Sequence, residues 1–198
     1  MMRSIVALSF LLSVPTLVAA ERLLLSEIST YLNSFRTAEA KFVQINDDGT
    51  LSSGMLYIKR PGRLRIEYDL PDRMLVVAGG GAVVIFDPKS NSGSQTFPLR
   101  RTPLSIILAR TVDLENADMV THHEFDGEST IVTAQDPQNP QYGNLRIIFS
   151  SDPIELSEWV VTDGAGEQTM VYLQQFQTGK NYSDLLFDSS LIDDAAGR

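Results

Sequence analysis

Between residues 38 and 176 the chain repeats one pattern: short runs with apolar side chains at every second position, each run closed by turn-forming residues. Period-two alternation puts successive side chains on opposite faces of a strand. Ala38, Ala40, Phe42 and Gln44 alternate with Glu39, Lys41 and Val43 before Asp47-Asp48-Gly49 turns the chain. A second strand is predicted over 53–60, then Pro61-Gly62, then a third in which Leu64 and Ile66 alternate with Arg63, Arg65 and Glu67. Further strands are predicted over 73–78, 82–86, 94–99, 119–125, 129–135, 144–150, 155–162 and 168–176. The count of about ten or eleven short antiparallel strands, with only two helices, fits an α/β fold less well than an all-antiparallel sheet. It points to a mainly β chain with helices: one large curved sheet, an incomplete antiparallel barrel.

Two segments break the alternation. Leu24, Ile28, Tyr31, Leu32 and Phe35 form a helical stripe over about 23–35. Thr102-Pro103 pairs an N-cap with a proline at the first helical position, and Leu104, Ile107 and Leu108 share one face of a short helix ending near Arg110. No linker or repeat divides residues 21–198, which are expected to form a single domain. Residues 1–20 carry a positive Arg3, an almost wholly apolar run over 5–18 and the small residues Val18-Ala19-Ala20. They read as a signal peptide removed after Ala20, too short to serve as a membrane span.

Composition removes many function classes. With 43% hydrophobic and 21% charged residues the chain is neither disordered nor fibrous. Sixteen basic against 25 acidic residues give a charge of −9, one unit more negative once Arg3 is lost, so no nucleic acid is expected as a partner. The lack of cysteine excludes disulfides, thiolate metal sites, cysteine nucleophiles and lipid attachment through a Cys. Gly79-Gly80-Gly81 runs into another apolar strand, so it reads as a hairpin and not as a phosphate loop. His122-His123-Glu124 places adjacent side chains on opposite strand faces, which disfavours a shared metal ion. Neither a nucleophilic triad nor a three-ligand zinc site assembles easily from two histidines. No catalytic centre, metal or cofactor is expected.

The segment Leu56-Tyr57-Ile58-Lys59-Arg60-Pro61-Gly62-Arg63-Leu64-Arg65-Ile66-Glu67-Tyr68, continued by Pro71 and by Leu75-Val76-Val77-Ala78-Gly79 to Phe86-Asp87-Pro88, resembles the outer-membrane lipoprotein carrier (LolA) family. Phe42-Val43-Gln44, Thr102-Pro103-Leu104 and Asp184-Leu185-Leu186-Phe187 agree with it in order and spacing. Two positions depart from the family pattern: Tyr57 stands where many relatives have Trp, and Ala78 where a Ser-Asp-Gly turn has Asp.

The resemblance implies an incomplete barrel with a helical lid over an apolar cavity that holds lipoprotein acyl chains. It also implies a monomeric periplasmic chaperone that is not membrane-embedded. Such a carrier receives acylated lipoproteins from an inner-membrane lipoprotein-releasing ABC transporter and passes them to an outer-membrane acceptor, LolB or an equivalent. Phe42, Leu56, Ile58, Leu64, Ile66, Leu104, Ile107 and Leu108 are then the expected cavity and lid residues. From pattern alone they read equally as ordinary core, and in a carrier the two readings overlap. Arg60 shares a strand face with Leu56 and Ile58; by its residue type it reads as a solvated strand end. The resemblance makes it a latch to the lid helices, for which a planar guanidinium with five donors is suited. The alternatives are a lipid- or stress-sensing binding protein of the same fold and, further off, a periplasmic hydrolase.

Overall fold

The computed structural model describes residues 21–90 and 93–190; the expected signal peptide, residues 1–20, lies outside them. The described residues contain eleven strands: β1 (Thr37–Ile45), β2 (Leu51–Lys59), β3 (Arg63–Tyr68), β4 (Leu75–Gly79), β5 (Ala82–Phe86), β6 (Gln95–Pro98), β7 (Val120–Phe125), β8 (Thr130–Ala134), β9 (Asn144–Ser151), β10 (Ile154–Thr162) and β11 (Gln168–Thr178). Two α-helices accompany them, α1 (Leu25–Asn33) and α2 (Leu104–Ile107). All eleven strands form one antiparallel sheet in the order β6-β5-β4-β3-β2-β1-β11-β10-β9-β8-β7.

Every neighbour in that order is a sequential hairpin except β1 and β11, which join the two halves of the chain, Phe42 opposite Leu173 and Gln44 opposite Val171. The edges β6 and β7 do not pair, so the barrel stays open there, and α2 lies between them in sequence. Bulges between Glu39 and Lys41 and between Leu156 and Glu158 interrupt the register near the centre of the sheet, where an extra residue sharpens the bend of a strand.

Period-two alternation decides the concave face. Ala40 lies opposite Leu56, Leu56 opposite Ile66, and Ile66 opposite Val76, so one row of side chains crosses four strands. The main core collects this row with Ile58, Leu64, Ala78, Leu145, Ile147, Phe149, Leu156 and Trp159. A small second cluster of Ile131, Ile148 and Val160 occupies the convex side.

The helices are shorter than the sequence pattern predicts, and a helical lid is not clearly shown. α1 starts where the Glu27 carboxylate accepts the Leu24 N–H at 2.7 Å, and it ends because the chain must straighten to enter β1. Instead of the predicted run to Arg110, α2 spans four residues; the Leu108 carbonyl accepts the Gly62 N–H at 2.8 Å, bonding to a β-turn instead of another helical turn. The cover over the concave face is therefore α1 together with the extended stretch after α2. Asn33 donates to the Val112 carbonyl at 2.8 Å and accepts its N–H at 2.9 Å, and the Ser29 hydroxyl accepts the Leu114 N–H at 3.0 Å. Val112 and Leu114 are buried beneath this seam.

Residues after β11 strap the convex side. The Lys59 ammonium donates to the Tyr182 carbonyl at 2.7 Å, Arg65 donates to the Leu186 carbonyl at 3.1 Å, and Phe187 is buried. Tyr57 packs edge-on to Tyr182 at 5.6 Å on this outer face. Among the described residues no helix is long and apolar enough to cross a membrane.

Candidate functional site

At one end of the concave face the two halves of the sheet stand apart around a cavity of about 450 Å³, within the ~300–1,000 Å³ usual for ligand sites. Phe42, Ile66, Val76, Val83 and Ile85 form the wall from β1 to β5, and Leu145, Trp159, Val161 and Val171 form the wall from β9 to β11. Leu104 and Pro103 meet them from the segment at the start of α2. The cavity reaches solvent, since Phe97, Tyr142 and Val161 line it and are exposed.

Close backbone approach makes this end possible. Gly54 lies opposite Phe42, and a Cβ there would sit 1.9 Å from the Glu67 carbonyl oxygen and 2.8 Å from the Phe42 ring, so only glycine fits. Gly143, at φ 98°, likewise faces the Thr162 carbonyl with no room for a Cβ.

Tyr68 and Gln44, two polar residues of the cavity wall, are bonded to each other. The Tyr68 hydroxyl donates to Gln44 Oε1 at 2.7 Å, and Gln44 Nε2 donates to Asn46 Oδ1 at 2.6 Å. Burial pushes the Tyr68 phenol up to about 12, so it stays neutral. Near the rim, Asp136 accepts Asn139 Nδ2 at 2.9 Å and the Gln138 N–H at 2.8 Å; these bonds hold its carboxyl below the usual range. The chemistry on offer is apolar contact with a neutral interior and a charged edge. Among the described residues no group of three His, Asp or Glu side chains is placed to hold a metal ion. His123 instead bonds through Nε2 to the Leu23 carbonyl at 2.8 Å.

The eight residues singled out in the sequence divide between two environments. Phe42, Ile66 and Leu104 line the cavity. Leu56, Ile58, Leu64, Ile107 and Leu108 do not; they are buried in the closed core beside α1. Sequence reasoning missed Trp159, Tyr68, Val83, Leu145 and Val171. Alternation marked the strands that carry them, but their convergence depends on β1 pairing with β11 across more than a hundred residues.

Arg60 lies at the opposite end of β2 from Gly54, roughly 20 Å away at ~3.3 Å per residue. It is 6% exposed, so the solvated strand-end reading does not describe it. Its Nη2 donates to the carbonyls of Leu32 and Phe35 at the end of α1, and its Cζ lies 5.2 Å from the Phe35 ring centroid. A cation is favoured there because the last carbonyls of a helix lack intrahelical partners. The other end of the cover is tied to the far half of the sheet: Leu23 N–H donates to Thr130 Oγ1 at 2.8 Å, and Leu156 N–H donates to the Tyr31 hydroxyl at 3.2 Å. α1 thus bridges both halves, and Arg60 is its link to the β1–β6 half. The α2 segment is held through Gly62 and not through Arg60.

Comparison with known proteins places the chain. The family described as "Outer membrane lipoprotein carrier protein LolA" matches residues 33–190. An "Outer-membrane lipoprotein carrier protein" from Coxiella burnetii (strain CbuK_Q154) is 26% identical over 188 residues, covering 90% of this chain and 88% of that one. A protein of the same description from Azotobacter vinelandii is 24% identical over 172 residues, covering 83% and 82%. Among solved structures, a DUF1329 family protein from Desulfovibrio piger superposes with a TM-score of 0.51 at 14% identity, over 84% of this chain and 95% of that one, a likeness of fold alone. With the family match covering most of the sheet, α2 and the outer strap, this chain belongs to the outer-membrane lipoprotein carrier family.

Proposed function

We propose that the chain is a non-enzymatic periplasmic carrier, exported with its first twenty residues removed, which takes the acyl chains of lipoproteins into its cavity and delivers them to the outer membrane. The observation that carries this reading is the apolar cavity between the two halves of the sheet, in a chain of the carrier family. At ~0.8 kcal/mol per methylene, an acyl chain of about fifteen methylenes gains roughly 12 kcal/mol by leaving water. Release into water is then too slow to be useful, and transfer must run from cavity to cavity, from an inner-membrane ABC transporter to the carrier and on to an outer-membrane acceptor.

In this reading Leu56, Ile58, Leu64, Ile107 and Leu108 are the reserve of the cavity. They are closed while Arg60 holds α1, and they become available to acyl chains when the cover moves. Each charge-assisted bond from Arg60 to α1 contributes on the order of 1.5–3 kcal/mol to the closed state, offsets part of the acyl-burial energy and keeps the cargo releasable.

The test is recovery of acylated lipoproteins with the carrier purified from envelope extract, read by mass spectrometry, followed by transfer from the loaded carrier to a purified acceptor. Arg60→Leu is expected to load and to deliver poorly, with Arg60→Lys intermediate because an ammonium lacks the planar fork. Co-purification of free lipids without lipoprotein would favour a lipid-binding role. Poor loading with normal delivery by Arg60→Leu would remove the latch.

A further inference from the structure

A second cavity, of about 260 Å³, lies at the Arg60 end of the sheet and is lined by Asn33, Arg36, Arg60, Arg110 and Thr111. Three of these five lining residues are arginines, in a chain whose acidic residues outnumber its basic ones by 25 to 16. Among the described residues Arg36 and Arg110 belong to no ion pair. Arg60 is buried, and with Nη2 committed to α1 its Nε and Nη1 have no acceptor among the described groups. Buried donors are ordinarily satisfied, and like charges crowded together are ordinarily neutralised.

We propose that Arg36, Arg60 and Arg110 form a binding site for a phosphate group, separate from the apolar cavity and independent of the carrier reading. Arginines carried by three separate segments, after α1, after β2 and after α2, suit a tetrahedral oxyanion, whose oxygens point in several directions, better than a planar carboxylate. The Thr111 hydroxyl adds a donor, and Asn33, with its amide engaged by Val112, holds the wall in place. Burial and the nearby Arg36 charge press the Arg60 guanidinium toward a lower pKa, a strain that a bound anion relieves. The phosphate comes either from the headgroup of an anionic phospholipid or from free inorganic phosphate.

Two probes separate these sources, and exposed Arg36 and Arg110 can be substituted without disturbing the core. Inorganic phosphate, titrated against chloride at constant ionic strength, is expected to shift the arginine Nε–Hε resonances saturably. Affinity should fall at least about fivefold in Arg36→Gln and in Arg110→Gln, and saturation should vanish in the double variant, with the remaining spectrum unchanged. Vesicles of phosphatidylglycerol mixed with phosphatidylcholine, compared with phosphatidylcholine alone, form the second arm. Sedimentation with the anionic vesicles, reversed by phosphate and lost in the double variant, assigns the headgroup; phosphate saturation without sedimentation assigns the free anion. Failure of both probes to bind saturably, or equal binding by the wild-type and double-variant proteins, overturns the proposal.

Discussion

The two ends of the concave face are built from the same residue types in the same alternation, yet one is a closed core and the other is a cavity. Leu64 and Ile66 stand two residues apart on one face of β3. Leu64 is fully buried in the main core, whereas Ile66 lines open space. What differs is the layer opposite. At the Arg60 end, α1 and the Val112–Leu114 stretch are stapled together and fill the concavity. At the Gly54 end none of the described residues fills the space between Phe42 and Trp159. A sheet face needs a second layer to become a core, and at this end the described residues do not supply one.

The largest expected effect comes from truncating the closed end. Leu64→Ala is expected to lower stability by about 3–4 kcal/mol, because the void it leaves is sealed on all sides. Denaturant unfolding followed by circular dichroism measures it. Gly54→Ala strikes the support of the open end and is expected to lose ~2 kcal/mol, since the added methyl meets the Glu67 carbonyl. Wild-type stability in Gly54→Ala would mean that β2 and β3 can separate there without loss.

The open end also has an alkaline signature. Burial, reinforced by the Asp72 charge, raises the Tyr68 phenol from 10.0 to about 12 in the folded protein. The unfolded chain gives up this proton near pH 10 while the folded chain retains it. The Tyr68 contribution is therefore complete below pH 10 and is lost as pH rises toward 12. The difference between the wild-type and Tyr68→Phe stability curves isolates it; parallel curves across that range would show Tyr68 to be hydrated when folded.

The smallest effect completes the pair with Leu64. Ile66→Ala is expected to lose only ~1 kcal/mol of stability, since the truncation enlarges a space that already exists, and to weaken binding of an acyl probe about fivefold. Trp159, the only tryptophan in the sequence, lines the same cavity, so its emission reports occupancy directly. If Ile66→Ala destabilises as much as Leu64→Ala, the two ends are one core and the comparison fails.

Much of the architecture was legible in the chain because it depends on local chemistry. Alternation and turn residues located all eleven strands to within a few residues, and a hairpin meander leaves each strand little choice of partner. Helix lengths were less legible: nothing local announces that Gly62 takes the Leu108 carbonyl and stops α2 after four residues. The order of residues along β2 placed Arg60 on the inner face with Leu56 and Ile58; that it reaches the Leu32 and Phe35 carbonyls follows from where α1 lies.

By itself the sequence determined a cysteine-free, acidic, mainly β chain, its strand boundaries and which side chains face inward, since each of these is set by residues adjacent in sequence. The tertiary structure alone decided which inward side chains are core and which are cavity. That outcome rests on the β1–β11 pairing, on the stapling of α1 to Val112 and Leu114, and on the clearance at Gly54. These contacts join residues distant in sequence, and period-two alternation is the same whether the space opposite a strand is filled or empty.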